Sequence, residues 1–265
     1  MKKIIFLLLG ICSMLVISFS CGDNSAKIEL KKRVAAINKR CPEKYDDFTC
    51  VGVKIQDGNM VEEFVYDDEQ LNLDYLKDES ESGKRLAGST FLSADEDLSG
   101  LLLRSGYGYT ANYKCIKTGA ITTFHLSNEE IKGIKENPAS KNELLDWQIQ
   151  ITNSTLPQQF EIGSMLVSVE CQDNIVSYIF EIDEDLVDMS LLDDYLDEAK
   201  EDFRQELEQE WASPTSLVKQ FTSLVCRTNK SLRYVYRGKT TGKELTIEFT
   251  NAELRNISHD YIEEE

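Results

Sequence analysis

The sequence predicts an α+β protein made of two tandem duplicated domains, each a four-stranded antiparallel sheet packed on helices. Three observations carry this. The stretch LTIEFTNAELRNI, residues 245–257, repeats the pattern of TTFHLSNEEIKGI, residues 122–134. At that same spacing Leu101 meets Leu224, Arg104 meets Arg227, Tyr113 meets Tyr236, Gly119 meets Gly242 and Asn128 meets Asn251. An upstream block matches at a slightly shorter spacing, MVEEFVYDDEQLNLDYL facing IVSYIFEIDEDLVDMSLL. Collinear echoes at such a separation mark tandem domains, not a solenoid of small units. The change in spacing places about two extra helical turns in the middle of the second copy.

Each copy reads by period. A first helix is expected from Lys27 to Lys39 and from Asn142 to Ile151, stopped near Pro42 and Pro157. Two short strands joined by tight turns follow. VGVKIQDGN sets Val51, Val53 and Ile55 on one face, and LVSVECQDN does the same with Val167, Val169 and Cys171. Asp57-Gly58-Asn59 and Asp173-Asn174 are hairpin residues. In copy two Leu192, Leu196, Ala199, Phe203, Leu207 and Trp211 recur at three- and four-residue steps, the pattern of a long amphipathic helix. In copy one SESGKRLAGS reads as a shorter or broken helix. A further helix (Asp97 to Arg104; Ser216 to Arg227) leads into two more strands, GYGYTANYKC with TTFHL and SLRYVYRG with LTIEF. The motif stated twice is then a last strand running into a helix N-cap. Ser127 or Asn128, and Thr250 or Asn251, precede an acidic first turn that satisfies free N–H groups. A linker is expected around Lys135 to Lys141, giving a first repeat over 21–137 and a second over 138–265.

Residues 1–20 read as a signal peptide: Lys2 and Lys3, an apolar run from Ile4 to Ile17, then Ser18-Phe19-Ser20 before Cys21. The apolar run is too short for a confident membrane span. The formal charge is −18, and removal of the leader with its two lysines leaves about −20. Such a surface repels nucleic acid, and no basic, aromatic-interleaved stripe offsets it. The stretch after Cys21 is locally basic (Lys27, Lys31, Lys32, Arg33, Lys39, Arg40, Lys44) and suits either a helix resting on membrane phosphates or, the favoured reading, a solvated face opposite Leu30, Val34 and Ile37.

Beyond Cys21 the cysteines are Cys41, Cys50, Cys115, Cys171 and Cys226. An odd number with no framework spacing predicts mostly buried thiols and at most one or two bridges. Without a CxxC or a Cys/His cluster, no metal site and no cofactor is expected.

Catalysis has little support. His125 takes an outward strand position beside Thr123, and His259 lies in an acidic tail. No nucleophile elbow, HExxH, P-loop or dinucleotide fingerprint occurs. Asp67-Asp68 and Asp193-Asp194 read as acids on wet faces. The tyrosines remain open between two uses. Tyr107, Tyr109 and Tyr113 share a parity, as do Tyr234 and Tyr236, which suits either core packing or an aromatic recognition row. Candidate partner-binding residues are Tyr109, Tyr113, His125, Tyr234 and Tyr236.

A cysteine directly after the leader, with Ser18 and Phe19 in place of the stricter lipobox, resembles the small cell-envelope lipoproteins of Bacteroides-type bacteria, most of unassigned activity. That resemblance implies lipidation at Cys21, anchoring to a membrane, expected to be the outer one, and no catalytic role. The helix-plus-four-strand unit used twice is similar in plan to the β-lactamase inhibitory proteins, an analogy of architecture that transfers no binding residue. The expectation is a non-enzymatic envelope lipoprotein whose open sheets bind a protein partner. The alternative is a small molecule or glycan held in the inter-domain groove.

Overall fold

The computed structural model describes residues 23–45, 48–67, 73–212 and 217–258. Cys21 and His259 lie outside them. The chain divides into two compact units, the first running to Ala139 and the second starting at Ser140.

The first unit opens with α1 (Asn24–Asn38), capped by the Asp23 carboxylate. Leu30, Val34 and Ile37 are its buried stripe, and the lysines stay outside. Strands β1 (Glu43–Tyr45), β2 (Phe48–Gln56) and β3 (Asn59–Tyr66) form a meander. A short 3-10 turn (Asp74–Lys77) and helices α2 (Glu81–Ala94) and α3 (Glu96–Ser105) lead to β4 (Gly108–Cys115), β5 (Ile121–Leu126) and α4 (Asn128–Glu136). The second unit repeats the order: α5 (Lys141–Ser154), β6 (Gln158–Glu161), β7 (Ser164–Gln172), β8 (Ile175–Ile182), α6 (Met189–Asp194), α7 (Leu196–Ala212), α8 (Leu217–Arg227), β9 (Ser231–Gly238), β10 (Glu244–Phe249), α9 (Asn251–Ile257).

Each sheet therefore has five strands, not four, in sequential order, and is mixed. Strand β3 runs parallel to β4, and β8 to β9, because helices and not a turn connect them. The strands absent from the sequence reading, β1 and β6, are short edge strands.

A β-bulge corrects the expected faces of β2 and β7. Register shifts between Cys50 and Gly52, and again between Leu166 and Ser168. The extra residue re-phases the strand, so Cys50 and Val53 are buried while Val51 is 46% exposed. Cys171 keeps the inward parity but sits beside the hairpin turn, where it is exposed, contrary to the expectation of a buried thiol.

Copy one's central helix is the shorter of the two, as expected, at 14 residues against 17 in α7, but it is unbroken: GKRLAGS lies within α2. Its glycines serve packing: a Cβ at Gly88 would come within 2.5 Å of the Ile134 side chain.

The duplicated terminal motif is a capping box in both units. Ser127 and Thr250 accept from the N–H of Glu130 and Glu253, whose carboxylates accept in return. A lysine from the helix alongside, Lys84 or Lys200, closes on each glutamate at 2.9 and 2.7 Å. The asparagines next to the caps are fasteners. Asn128 Nδ2 donates to the Leu102 and Tyr107 carbonyls, and Asn251 Nδ2 to those of Cys226 and Lys230.

Two predictions follow from these bonds. Burial alone would raise Glu130, but Ser127 and Lys84 outweigh it and bring it down to about 2; Glu253 falls to about 2 chiefly through Lys200, then Thr250. Carboxylates with depressed folded pKa contribute stability above their ordinary value of 4.5 and lose it as pH falls toward about 2. Acid titration of the melting temperature is expected to show that loss, with a shallower slope for Glu253→Gln. Asn153 grips β7 through Val169, accepting from its N–H at 2.8 Å and donating to its carbonyl at 2.7 Å. Asn153→Ala is expected to cost about 1–3 kcal/mol in urea unfolding by stranding these buried groups.

Candidate functional site: an aromatic cleft in the second unit

The face of the second sheet turned toward the helices carries Leu166, Val169, Val176, Tyr178, Phe180, Ile182, Leu232, Tyr234, Tyr236, Leu245, Ile247 and Phe249, brought level by the strand register. Helix α7 lies over it. Phe203 stacks on Tyr234 with centroids 4.9 Å apart, Tyr234 on Tyr178 at 5.7 Å, and Tyr236 on Phe180 at 5.3 Å. Two adjoining hollows remain between helix and sheet, about 290 and 490 Å³, sharing Phe160, Phe203 and Glu206. The smaller is closed at one side by the β6–β7 hairpin through Phe160 and Ile162, and by Tyr195 from the turn just before α7. Those three side chains are largely exposed at its mouth, as is Leu186 beside Gly163.

The cleft is apolar but not devoid of polar groups. Ser164 lines the smaller hollow, is 8% exposed, and its Oγ has no hydrogen-bond partner among the described residues. Tyr236 lines the same hollow, and Tyr178 and Tyr234 line the adjoining one. Burial pushes all three phenols well above their ordinary range, with Glu206 adding to the rise at Tyr234 and Tyr236. Glu161, Asp202, Glu206 and Glu210 line the cleft, and no lysine, arginine or histidine does.

The first unit uses the same frame differently. Glu62 stands at the register position of Tyr178, and Ala111 at that of Tyr234. The Tyr109 hydroxyl donates to Glu62 Oε2 at 2.6 Å, and Phe91 stacks on Tyr109 at 3.7 Å. Burial raises Glu62, and Tyr109 partly offsets this. The pair satisfies itself within the core.

The sequence candidates thus separate. Tyr109 is 2% exposed and withdrawn from any partner. Tyr113 packs between Phe48 and Phe64. His125 is on the opposite face of the sheet, its Nδ1 2.9 Å from Thr110 Oγ1. Tyr234 and Tyr236 alone reach the cleft, on the helix-covered face. Among the described residues no group of three or more His, Cys, Asp or Glu is placed to hold a metal ion, and no helix is long and apolar enough to cross a membrane.

The outer sheet faces, expected to receive a partner, carry polar side chains that already engage one another. Lys54, Glu63, Asn112 and Thr123 form a chain on the first. Arg233 pairs with Glu248 and Arg237 with Glu244 on the second. The cleft was missed because its walls read as ordinary core: Phe203 and Ala199 have helix-core spacing, and only the hollow beneath them distinguishes them.

No family model and no curated protein matches the chain. A crystal structure of a presumed secreted protein from Pseudomonas aeruginosa is similar at 12% identity, over 43% of this chain and 93% of that one. Its TM-score of 0.32 is too low to carry an argument.

The orphan hydroxyl gives a prediction. A buried hydroxyl without a partner stabilises nothing, so Ser164→Ala is expected to leave the melting temperature unchanged or raise it, by up to about 1 kcal/mol of stability. A drop of that size in thermal unfolding would show that Ser164 has a partner within the chain.

Proposed function

We propose that this chain is a non-enzymatic binding protein of the cell envelope, and that the cleft of its second unit holds an apolar segment of a partner protein. The observation that carries this reading is the cleft itself. Aromatic rings line it, the buried Ser164 hydroxyl inside has no partner among the described residues, and Phe160, Ile162, Leu186 and Tyr195 extend the apolar surface outside it. Exposed apolar surface of this kind, rimmed by polar residues, marks an interaction site, and fixed aromatics are the residues that anchor interfaces. The self-paired outer faces favour the cleft over the sheets. A small molecule or glycan in the same cleft, whose hollows match ligand-pocket sizes, is the competing outcome.

The test uses an array of apolar peptides probed with the full mature chain and with Ala199→Trp. Ala199 lines the cleft from α7, so the indole fills the hollow while the sheet stays intact. Wild type is expected to hold a subset of peptides that the filled variant does not. Identical patterns for the two proteins would remove the cleft from consideration.

Anchoring rests on the leader and on Cys21. Lipidation would tether the first unit through the short stretch ahead of α1. Cys21→Ser is expected to move the protein from the membrane to the soluble fraction on cell fractionation, and retention through an uncleaved leader would end the lipoprotein reading.

A further inference from the structure

We infer that the segment held in the cleft carries a cation among its apolar residues, an arginine side chain before any other. This rests on the reading of the cleft as the binding place. Helix α7 is acidic throughout, but its acids divide by face. Glu201 and Glu208 turn to Arg204, at 2.5 and 2.6 Å. Asp202 and Glu206 are four residues apart on the stripe that also carries Ala199 and Phe203, and all four line the hollow. Neither carboxylate has an ion-pair partner among the described residues, and Glu161 adds a third from the facing hairpin. All three are exposed, and they form the rim of a hollow whose walls are phenylalanine and tyrosine.

Ser164 is the independent sign that a ligand is missing. Its hydroxyl is buried, unpartnered and inside the same hollow. With the phenols of Tyr234 and Tyr236 it offers acceptor oxygens below the carboxylate rim. Guanidinium matches this arrangement: five N–H donors for several acceptors, a plane suited to the aromatic walls, and a permanent charge. An ammonium meets the charge but not the stacking. Carboxylate, phosphate and sulfate ligands are repelled, since no cation lines the cleft.

The probe is a library of acetylated pentapeptide amides with a central arginine and Leu, Ile, Val or Phe elsewhere. A second library replaces arginine with citrulline, which keeps the shape and removes the charge. Both are titrated against the full mature chain carrying Cys21→Ser. The arginine library is expected to bind about tenfold or more tightly than the citrulline one, with the difference reduced by Glu206→Gln and by salt. Equal binding of the two libraries, both blocked by Ala199→Trp, would overturn the cation while leaving the cleft reading intact. No binding of either library, or binding indifferent to Ala199→Trp, would overturn the cleft reading itself.

A different observation supports a second inference. The geometry points to Cys41 and Cys50 as a disulfide pair once the chain is exported. Their sulfurs are 3.7 Å apart, joining the segment after α1 to β2 beside its bulge. The corresponding positions in the second unit, before the same proline and at the same bulge, are Leu156 and Leu166. One copy fills this corner with two leucines, the other with two thiols. Closure needs an external disulfide, such as an oxidised dithiol protein. The Cys41 thiolate attacks it to form a mixed disulfide; Cys50 then gives up its proton and displaces the carrier, which leaves as a dithiol holding both electrons. Half-exposed Cys41 is the entry point, because burial pushes the Cys50 thiol up to about 12. Protein taken from an oxidising compartment, unfolded and alkylated without reductant, is expected to yield a Cys41–Cys50 linked peptide. Full alkylation of both cysteines would overturn the pairing, whatever the fate of the cleft.

Discussion

In both units a single asparagine ties the first helix to the bulged strand, and the rest of the sheet takes its phase from that bond. Asn38 accepts from the Val53 N–H at 2.8 Å and donates to the Val53 carbonyl; Asn153 does the same with Val169. β1 pairs with β2 only as far as Cys50, and β6 with β7 only as far as Leu166, so the edge beyond carries backbone groups with no strand to pair them, and such groups cost free energy when buried. The asparagine meets both groups of Val53 or Val169 from outside the sheet, at the residue where inward parity restarts past the bulge. The helix end is held by the same contact, and a proline follows the asparagine by four residues in both copies.

With the frame fixed at those points, the copies differ in what fills it. The first unit places Glu62 under Tyr109 and covers the pair with Phe91, so charge, hydroxyl and ring satisfy one another. The second places Tyr178 and Tyr234 at the positions of Glu62 and Ala111, adding ring surface while removing the acid that would accept from a phenol. The acid reappears on α7 as Glu206, at the rim of the hollow. Close approach of helix to sheet in the first unit depends on Gly88, where a Cβ would strike Ile134 and approach Leu126. In the second, Phe203 of α7 stacks on Tyr234 of the sheet, and hollows remain on either side of that contact.

Much of this was legible in the sequence, and what was not has identifiable causes. Alternation of two located β2–β5 and β7–β10, and three- and four-residue spacing located the helix faces, since those signals are local. Three residues, Glu43–Tyr45, hold no period, so the edge strand β1 was silent. Parallel pairing of β3 with β4 is a non-local fact, although the helices between them, read correctly, are what such pairing requires. The bulge escaped because one extra residue shifts parity without altering composition, and Val51 looked as inward as Val53. Glycines in α2 read as breaks because close packing and chain flexibility favour the same residue. Of the site, Tyr234 and Tyr236 were singled out by parity, but their openness depends on a helix–sheet distance that no residue pattern encodes.

The acidic character of the chain also divides on inspection of α7. On most of the surface, carboxylates are solvated or matched: Arg204 takes two from its own helix, and Lys200 takes Glu253. Such pairs contribute little energy and much solubility. Asp202, Glu206 and Glu161 differ in their neighbours, not in their charge. They stand exposed at the rim of a hollow lined by apolar rings, where no cation among the described residues faces them. Burial is the main reason the Tyr234 and Tyr236 phenols are raised, and Glu206 adds to it. A neutral apolar segment would bury these acids without compensation, whereas a cationic one would neutralise them on entry. The acids that dominate the chain's charge therefore give the rim of the cleft its sign, and on the proposed reading that sign would discriminate among apolar segments.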